Sequence, residues 1–259
     1  MKKGIRILLL VLVVTLAAAV AALVVSSASQ TRHGVTCNEH LDIRLQDSSF
    51  VTEQEVRDCL TRRYGSWSGQ RIDSLDLHRM EEILNGLTAV KRSEVWVTPD
   101  GMLHVRIAQR QAAARFETAD GGFYSDAEGY IFPLQKSWEA PVRTVTGSIP
   151  LTLPKGYSGL APSEQDQEWL KGMLALVHFI SGSKVWNARI ASISIEPGGE
   201  VVLGLYDGRE KILFGGSDSI QEKFKLLDDY YTYIRPSKDP GYYKTVNLKY
   251  HGQIICRQK

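Results

Sequence analysis

The sequence is poor in the residue patterns that carry enzyme chemistry. Its six histidines are scattered and form no HExxH pair, its three cysteines form no CxxC, and neither GxGxxG nor GxxxxGK[ST] occurs. These absences remove the usual signals for a zinc site, a thioredoxin-type centre and a nucleotide site. We therefore expect a protein that is not an enzyme, holds no metal or cofactor and has no small-molecule substrate.

One short enzyme motif remains, the SxxK at Ser181–Lys184, which penicillin-binding enzymes use for a nucleophilic serine. In those enzymes the serine opens a helix, whereas Ser181 closes a predicted helix, and neither SDN nor KTG follows it. A second partial match, at 65–69, has Trp67 where GxSxG requires serine. A peptidoglycan-acting enzyme is therefore the least favoured class.

Cysteine is too scarce to form a disulfide framework. Cys37, Cys59 and Cys256 leave at least one thiol unpaired in any pairing scheme. Cys59 lies at helical spacing from Val56 and Leu60, which predicts a small buried hydrophobic residue.

Acidic residues are absent from the first thirty positions, where three basic residues at 1–6 precede an apolar run. Residues 7–25 contain one polar side chain, Thr15. As a helix this run spans about 28 Å, close to the hydrocarbon thickness of a bilayer. It predicts a single transmembrane helix with a cytoplasmic tail at 1–6 by the positive-inside rule.

A cleaved signal peptide is the alternative for this region, because Ser26 and Ala28 supply small residues at the spacing of a cleavage site. The apolar run is longer than the usual 7 to 15 residues of a signal sequence, which favours a retained anchor. Both interpretations place the body of the protein outside the cytoplasm.

The body is nearly neutral, with 28 basic against 29 acidic residues once the basic tail is set aside. It lacks the basic stripe that nucleic-acid binders carry. We therefore do not expect nucleic acid as a partner.

Residues 26–37 read as a polar linker, and the pattern of a small domain follows at 38–110. Thr52 and Glu55 form a capping box, which predicts a helix start, and a second helix is expected before Gly86. Alternating apolar residues predict a first strand near Leu41 and a later hairpin. The expected order is β-α-α-β-β, with both helices on one face of a small sheet.

Residues 111–259 change to short strands separated by Gly-rich turns, so a second and mainly β domain is expected. Two helices interrupt it, one opened by Ser163 and one running from Ile220 to Ile234. A closing strand at 246–250 is followed by Gly252 and Ile254. The fold class is therefore α+β, with a transmembrane helix, a small β-α-α-β-β domain and a mainly β domain with two longer helices.

Specific strings in this order resemble the FtsQ/DivIB family of cell-division proteins, whose members carry a cytoplasmic tail, one transmembrane helix, a POTRA domain and a β domain. Asn247 and Lys249 stand where the family's terminal VDLRY strand has aspartate and arginine. The matching strings are Phe50-Val51-Thr52, Leu75-Asp76-Leu77, Ser93-Glu94-Val95, Gly101 with Leu103, Gln109-Arg110, Ala114-Arg115, Tyr124, Asp126, Gly129, Pro133-Leu134, Val145-Thr146-Gly147 and 246–250.

The resemblance implies a non-enzymatic divisome scaffold that recruits FtsB- and FtsL-like membrane proteins. It implies an inner-membrane protein with a periplasmic body at the division septum. The partner would add a β-strand at the C-terminal edge, and the expected contact residues are Leu248, Tyr250, Gly252 and Ile254. The POTRA domain, 38–110, is expected to dock further division proteins. A POTRA-bearing transport or outer-membrane assembly component is the alternative.

Overall fold

The computed structural model describes residues 14–21, 34–47, 49–118, 121–206, 208–239 and 241–258. Residues 14–21 are helical (α1). The rest of the transmembrane helix predicted at 7–25, the tail at 1–6 and most of the predicted linker lie outside the described residues. Among the residues that are described, no helix combines the length and apolarity needed to cross a bilayer.

The chain divides into two compact units, Met1–Gln109 and Arg110–Lys259. The first unit holds a three-stranded sheet in the order β1-β3-β2, with β1 parallel and β2 antiparallel to β3. This arrangement confirms the predicted β-α-α-β-β order. Its elements are β1 (Leu41–Gln46), α2 (Glu53–Arg63), α3 (Leu77–Asn85), β2 (Val90–Val97) and β3 (Leu103–Gln109).

Local sequence signals set the helix ends of the first unit. Thr52 caps α2 in a complete capping box with Glu55, which lowers the cost of starting the helix because both groups satisfy free backbone N–H groups. Asp76 caps α3, and Gly86 ends it. The predicted start of α2 at Thr52 and the predicted end of α3 at Gly86 are confirmed.

The core of the first unit lies on one face of the sheet. Strand β3 alternates, so that Leu103, Val105 and Ile107 are fully buried while His104 and Arg106 remain partly exposed. The helices supply buried Val56, Leu60, Met80 and Leu84 to the same core. The helices of this unit therefore cover one sheet face, and the described side chains on the face with His104 are partly exposed.

The second unit is built on a ten-stranded mixed sheet in the order β13-β12-β11-β10-β9-β7-β4-β5-β6-β8. Three neighbouring pairs, β4/β7, β7/β9 and β11/β12, run parallel. The strands are β4 (Ala112–Thr118), β5 (Gly121–Asp126), β6 (Tyr130–Pro133), β7 (Thr144–Gly147), β8 (Gly159–Leu160), β9 (Ile190–Ile195), β10 (Val201–Leu205), β11 (Lys211–Gly215), β12 (Tyr243–Asn247) and β13 (Ile255–Gln258).

Helices α4 (Glu164–Gly182), α5 (Lys184–Arg189) and α6 (Ile220–Asp229) belong to this unit. Ser163 caps α4 as predicted, and α6 continues into a π-helical turn at Tyr230–Ile234. The sequence predicted only two helices here. The six residues of α5 are too few to show a helical period, and the helix is fixed by the Ser183 cap and the burial of Trp186.

Phe224 of α6 is the centre of an aromatic cluster in the core of the second unit. Its ring centroid lies 4.8 Å from Phe179, 5.1 Å from Trp186 and 5.3 Å from Phe214. Aromatic rings at these separations attract one another beyond the area they bury. The cluster packs α4, α5 and α6 against β11, the strand that pairs with β12.

Candidate partner-binding edge

The two edge strands of the ten-stranded sheet, β8 and β13, differ in length and exposure. At one end β8 has only two residues, a short edge that gives little room for strand pairing. At the other end β13 has four residues, of which three are exposed and none is buried. The β13 end is therefore the more accessible edge among the described strands.

The predicted contact residues lie between β12 and β13. Leu248 is 1% exposed, and its N–H donates to the Leu213 carbonyl at 3.0 Å. Tyr250 is 54% exposed. Gly252 is exposed, and Ile254 is half-buried against the core. The four residues thus lie on one connection, but only Tyr250 presents a large side-chain surface to solvent.

The closing strand lies three residues earlier than the sequence predicted, because it runs from Tyr243 to Asn247 and does not reach Tyr250. The side-chain oxygen of Asn247 accepts a hydrogen bond from the N–H of Lys249 at 2.9 Å. This local bond competes with strand pairing and turns the chain, as asparagine often does. The segment after Leu248 then returns as β13.

A β-turn at 250–253 reverses the chain. The N–H of Gln253 donates to the Tyr250 carbonyl at 3.1 Å, and Gly252 has a φ of +66° at the third turn position. A type II turn needs this left-handed conformation, which glycine adopts without strain. The Gly252 N–H donates to Glu222 Oε1 at 3.1 Å, and His251 Nδ1 lies 2.8 Å from Glu222 Oε2. Glu222, in the first turn of α6, therefore fixes the turn.

A buried carboxylate supports the edge from inside. Glu210 is 4% exposed and accepts hydrogen bonds from the hydroxyls of Tyr230 at 3.2 Å and Tyr231 at 2.9 Å. Its carboxylate also lies 3.6 Å from Arg235 Nε. Burial, and then the charge of Glu210, raises the pKa of both tyrosines above their usual range, so they remain neutral donors.

This cluster was missed by sequence reasoning. Glu210 stands between Arg209 and Lys211, a spacing typical of a solvated surface charge. The available signal was the Tyr230-Tyr231 pair within an apolar helical pattern, since buried tyrosine hydroxyls require partners. Cys256 of β13 packs against the same core as Tyr230. Burial, and then the charge of Glu210, raises the pKa of the Cys256 thiol.

Cys37, Cys59 and Cys256 are all free thiols. Cys37 and Cys59 are buried in the first unit, as predicted for Cys59, while Cys256 is half-buried in β13. Within the described ranges, no group of three or more histidine, cysteine or acidic side chains could hold a metal ion.

The open face of the first unit's sheet carries a row of polar and aromatic side chains. His104 Nδ1 lies 2.8 Å from Asp42 Oδ2, and His104 Nε2 lies 3.1 Å from Thr98 Oγ1. The His104 ring stacks on Trp96 at 5.2 Å. The hydrogen bond with His104 is the main cause that lowers the pKa of Asp42.

The contacts run from Asp42 through His104 to Thr98, which is the order of a catalytic relay that activates a nucleophile. They do not form such a relay. The Thr98 hydroxyl also donates a very short hydrogen bond to Asp100. Its proton is therefore directed to a carboxylate and not to the histidine, which a relay would require.

The two edge strands of this sheet, β1 and β2, differ in whether side chains already bond their outer backbone N–H groups. On β2, the N–H of Ser93 donates to Asn85 Oδ1 at 2.8 Å, and the N–H of Val95 donates to Glu81 Oε1 at 2.8 Å. Two side chains of α3 thus occupy edge donors of β2. Strand β1 is left as the more open edge of the first unit.

These two units define a class of protein: a small β-α-α-β-β domain followed by a mainly β unit with an accessible terminal edge. Residues 36–108 match the family model described as POTRA-like domain. The chain belongs to the FtsQ/DivIB, C-terminal related family, whose model matches residues 111–257. The resemblance inferred from the sequence is confirmed by both matches. No curated protein matches the chain in sequence.

The FtsQ/DivIB family is a family of non-enzymatic cell-division proteins. The two matched domains are accordingly those of a cell-division scaffold whose partners are other divisome proteins.

Proposed function

We propose that this protein is a divisome scaffold that binds FtsB- and FtsL-like membrane proteins by strand addition at the β13 end of its large sheet. The observation that carries the proposal is the position of β13, which has β12 on one side and no described strand on the other. An edge strand offers backbone N–H and C=O groups to a partner strand, and nearby side chains select the partner.

The same proposal includes a cellular location. Residues 7–25 anchor the chain in the inner membrane, the basic tail stays in the cytoplasm, and the two units act in the periplasm at the septum. The support is the apolar run of the sequence with its flanking basic residues, together with the family's role in division.

Tyr250 is proposed as the aromatic anchor of this contact, since an exposed tyrosine buries a large rigid area at little entropic cost. We expect Tyr250→Ala to weaken capture of a purified FtsB-like segment about tenfold or more, a loss of about 1.4 kcal/mol. Thermal unfolding should stay nearly unchanged, because the side chain is 54% exposed. Affinity is measured by titration calorimetry on the full chain in detergent.

Tyr206→Ala is the matched control, because Tyr206 is 77% exposed and follows β10, away from the β12–β13 connection. It should leave the affinity unchanged. A folded Tyr250→Ala protein that captures the segment as well as wild type contradicts the assignment of Tyr250.

The POTRA-like unit is proposed to dock further division proteins at β1 and the adjoining open face. The support is the position of β1, which has β3 on one side and no described strand on the other, together with the row that includes Trp96 and His104. We expect deletion of 38–109, which keeps Arg110 for its ion pair with Asp126, to abolish recruitment to division sites. Fluorescence microscopy of a tagged chain measures the recruitment. Normal recruitment of the deletion variant would exclude this surface.

A further inference from the structure

Exposed aromatic side chains of the second unit are concentrated at one end of its large sheet. Strands β4, β7 and β9 run parallel and begin at this end, and β10, antiparallel to β9, finishes there. Strands β11 and β12 also begin there, because β11 is antiparallel to β10 and parallel to β12. This end, where the chain passes from the first unit into β4, is the entry end.

Three exposed tyrosines lie at the entry end. Tyr206 directly follows β10 and is 77% exposed, and Tyr242 directly precedes β12 and is 38% exposed. Tyr233 lies on the π-helical turn after α6 and is 74% exposed. Tyr250 is also exposed, but it follows β12 and so lies at the opposite end. Several large rings in water on one part of a surface indicate a contact with something outside the chain.

The segments that carry the three tyrosines contact one another. A Cβ on Gly208, in the turn between β10 and β11, would lie 3.0 Å from the Tyr231 hydroxyl of the π-helical turn. A Cβ on Gly241, in the loop before β12, would lie 3.3 Å from Arg209 Cδ. The turn between β10 and β11 thus touches both other segments. The three tyrosines therefore belong to one surface, which we name the tyrosine surface.

Charged side chains of both signs surround the tyrosine surface. Lys238 Nζ lies 5.4 Å from the centre of the Tyr242 ring, and Arg209 is exposed on the neighbouring turn. Asp228 and Asp239 are exposed nearby. A ligand with many charges of one sign is therefore not favoured. The rings, with long basic side chains beside them, are the main feature of the surface.

Tyrosine rings beside lysine and arginine are typical of protein surfaces that touch a bilayer. The ring has an apolar body and a polar hydroxyl, which suit the boundary between acyl chains and headgroups. Basic side chains can reach lipid phosphates while their stems stay on the apolar side. The chain also supplies its own bilayer, since the apolar run at 7–25 precedes both units.

We propose that the tyrosine surface contacts the phospholipid headgroups of the inner membrane, so that the second unit is held against the bilayer. This inference rests on the anchor included in the proposed function and goes beyond the partner binding assigned to the β13 edge. Because Tyr250 lies at the opposite end of the sheet, the contact keeps the turn at 250–253 away from the lipid.

Hydroxyl-radical footprinting of the full chain tests the contact without any substitution. The chain is compared in detergent micelles and in nanodiscs of phosphatidylethanolamine and phosphatidylglycerol, and tyrosine oxidation is followed by mass spectrometry. We expect Tyr206, Tyr233 and Tyr242 to oxidise at least about threefold more slowly in nanodiscs, because rings among headgroups are shielded from water. Tyr250 is the internal control, and its rate should be equal in both preparations.

A double substitution separates a contact made by the rings from mere closeness to the bilayer. In a chain with Tyr206→Ser and Tyr233→Ser, Tyr242 should oxidise in nanodiscs as fast as it does in micelles. Both replaced side chains are largely exposed, so the fold should tolerate the change. The matched variant Tyr250→Ser removes an exposed ring from the other end of the sheet and should leave Tyr242 protected.

Each other outcome overturns the proposed contact in a recognisable way. Equal oxidation of Tyr206 and Tyr233 in micelles and nanodiscs excludes the contact and leaves the anchor and partner binding intact. Protection that appears only after the FtsB-like segment is added assigns the surface to a protein partner instead. A full chain that does not enter nanodiscs overturns the proposed anchor as well. Failure of the inference and failure of the proposed function are thus distinguishable.

Discussion

Asp126→Ala is expected to lower the free energy of unfolding of the second unit by about 3–5 kcal/mol. Asp126 Oδ2 lies 2.9 Å from Arg110 Nη1, and the two side chains are 7% and 11% exposed. Its other oxygen accepts the N–H groups of Glu128 at 3.1 Å and Tyr130 at 2.9 Å. The substitution removes the carboxylate facing a buried guanidinium and two acceptors of a tight turn. Urea titration with tryptophan fluorescence measures the change.

Glu200→Ala is the control for Asp126. Glu200 pairs with Lys249 at 2.7 Å, but the Glu200 side chain is 51% exposed. A solvent-exposed pair contributes about 0–1 kcal/mol, because water already stabilises both charges. If the two substitutions destabilise the unit equally, burial is not what makes the Asp126 pair important.

Gly147→Ala is expected to destabilise the second unit by about 2–4 kcal/mol. Gly147 ends β7 with a φ of +100°. A Cβ at this position would overlap the carbonyl oxygen of Ile195 and come within 3.0 Å of the Ile195 nitrogen. Both atoms belong to backbone that pairs with β7, so the sheet would have to separate at this point. Urea titration again measures the change.

Gly198→Ala separates the two causes at Gly147. Gly198 has a similar φ of +105°, but a Cβ there would meet no atom within 4 Å. Its cost should be the conformational part alone, about 1–2 kcal/mol. Equal losses for the two variants would show that the approach of β9 does not restrict Gly147.

The features that the sequence predicted well are those set by neighbouring residues. The capping box at Thr52, the helix start at Ser163, the helix end at Gly86 and the hairpin that includes Leu103 all depend on groups within a few positions of one another. Such local interactions leave a fixed spacing in the sequence. Two residues of the family strings also have a structural reason in this protein. Asp126 forms the buried ion pair with Arg110, and Gly147 lies too close to Ile195 for a larger side chain.

The features that the sequence did not predict depend on distant partners. The order of ten strands brings β4 beside β7 and β12 beside β11, and no local pattern specifies those pairings. The buried position of Leu248 follows from its bond to Leu213, thirty-five positions away. Glu210 is likewise buried by Tyr230 and Tyr231, which lie on a later element.

The C-terminal edge is the place where contacts that the sequence did not predict matter most for function. Alternation at 246–250 predicted that the closing strand reaches Tyr250, whereas it ends at Asn247, whose side chain bonds the chain locally, and β13 returns along it. The predicted contact residues therefore meet at a turn held by Glu222. The described chain therefore presents β13 as its C-terminal edge strand, with β12 between β13 and β11.

Hydrogen exchange of the full chain, free and bound to the FtsB-like segment, tests the central claim most directly. Backbone amides that join a new strand ladder exchange more slowly, because they open only when the partner leaves. The account predicts new protection confined to β13 and the connection at 248–254, with the rest of the large sheet unchanged. Protection that appears only in the three-stranded sheet or at β8, with the C-terminal edge unaffected, would contradict it.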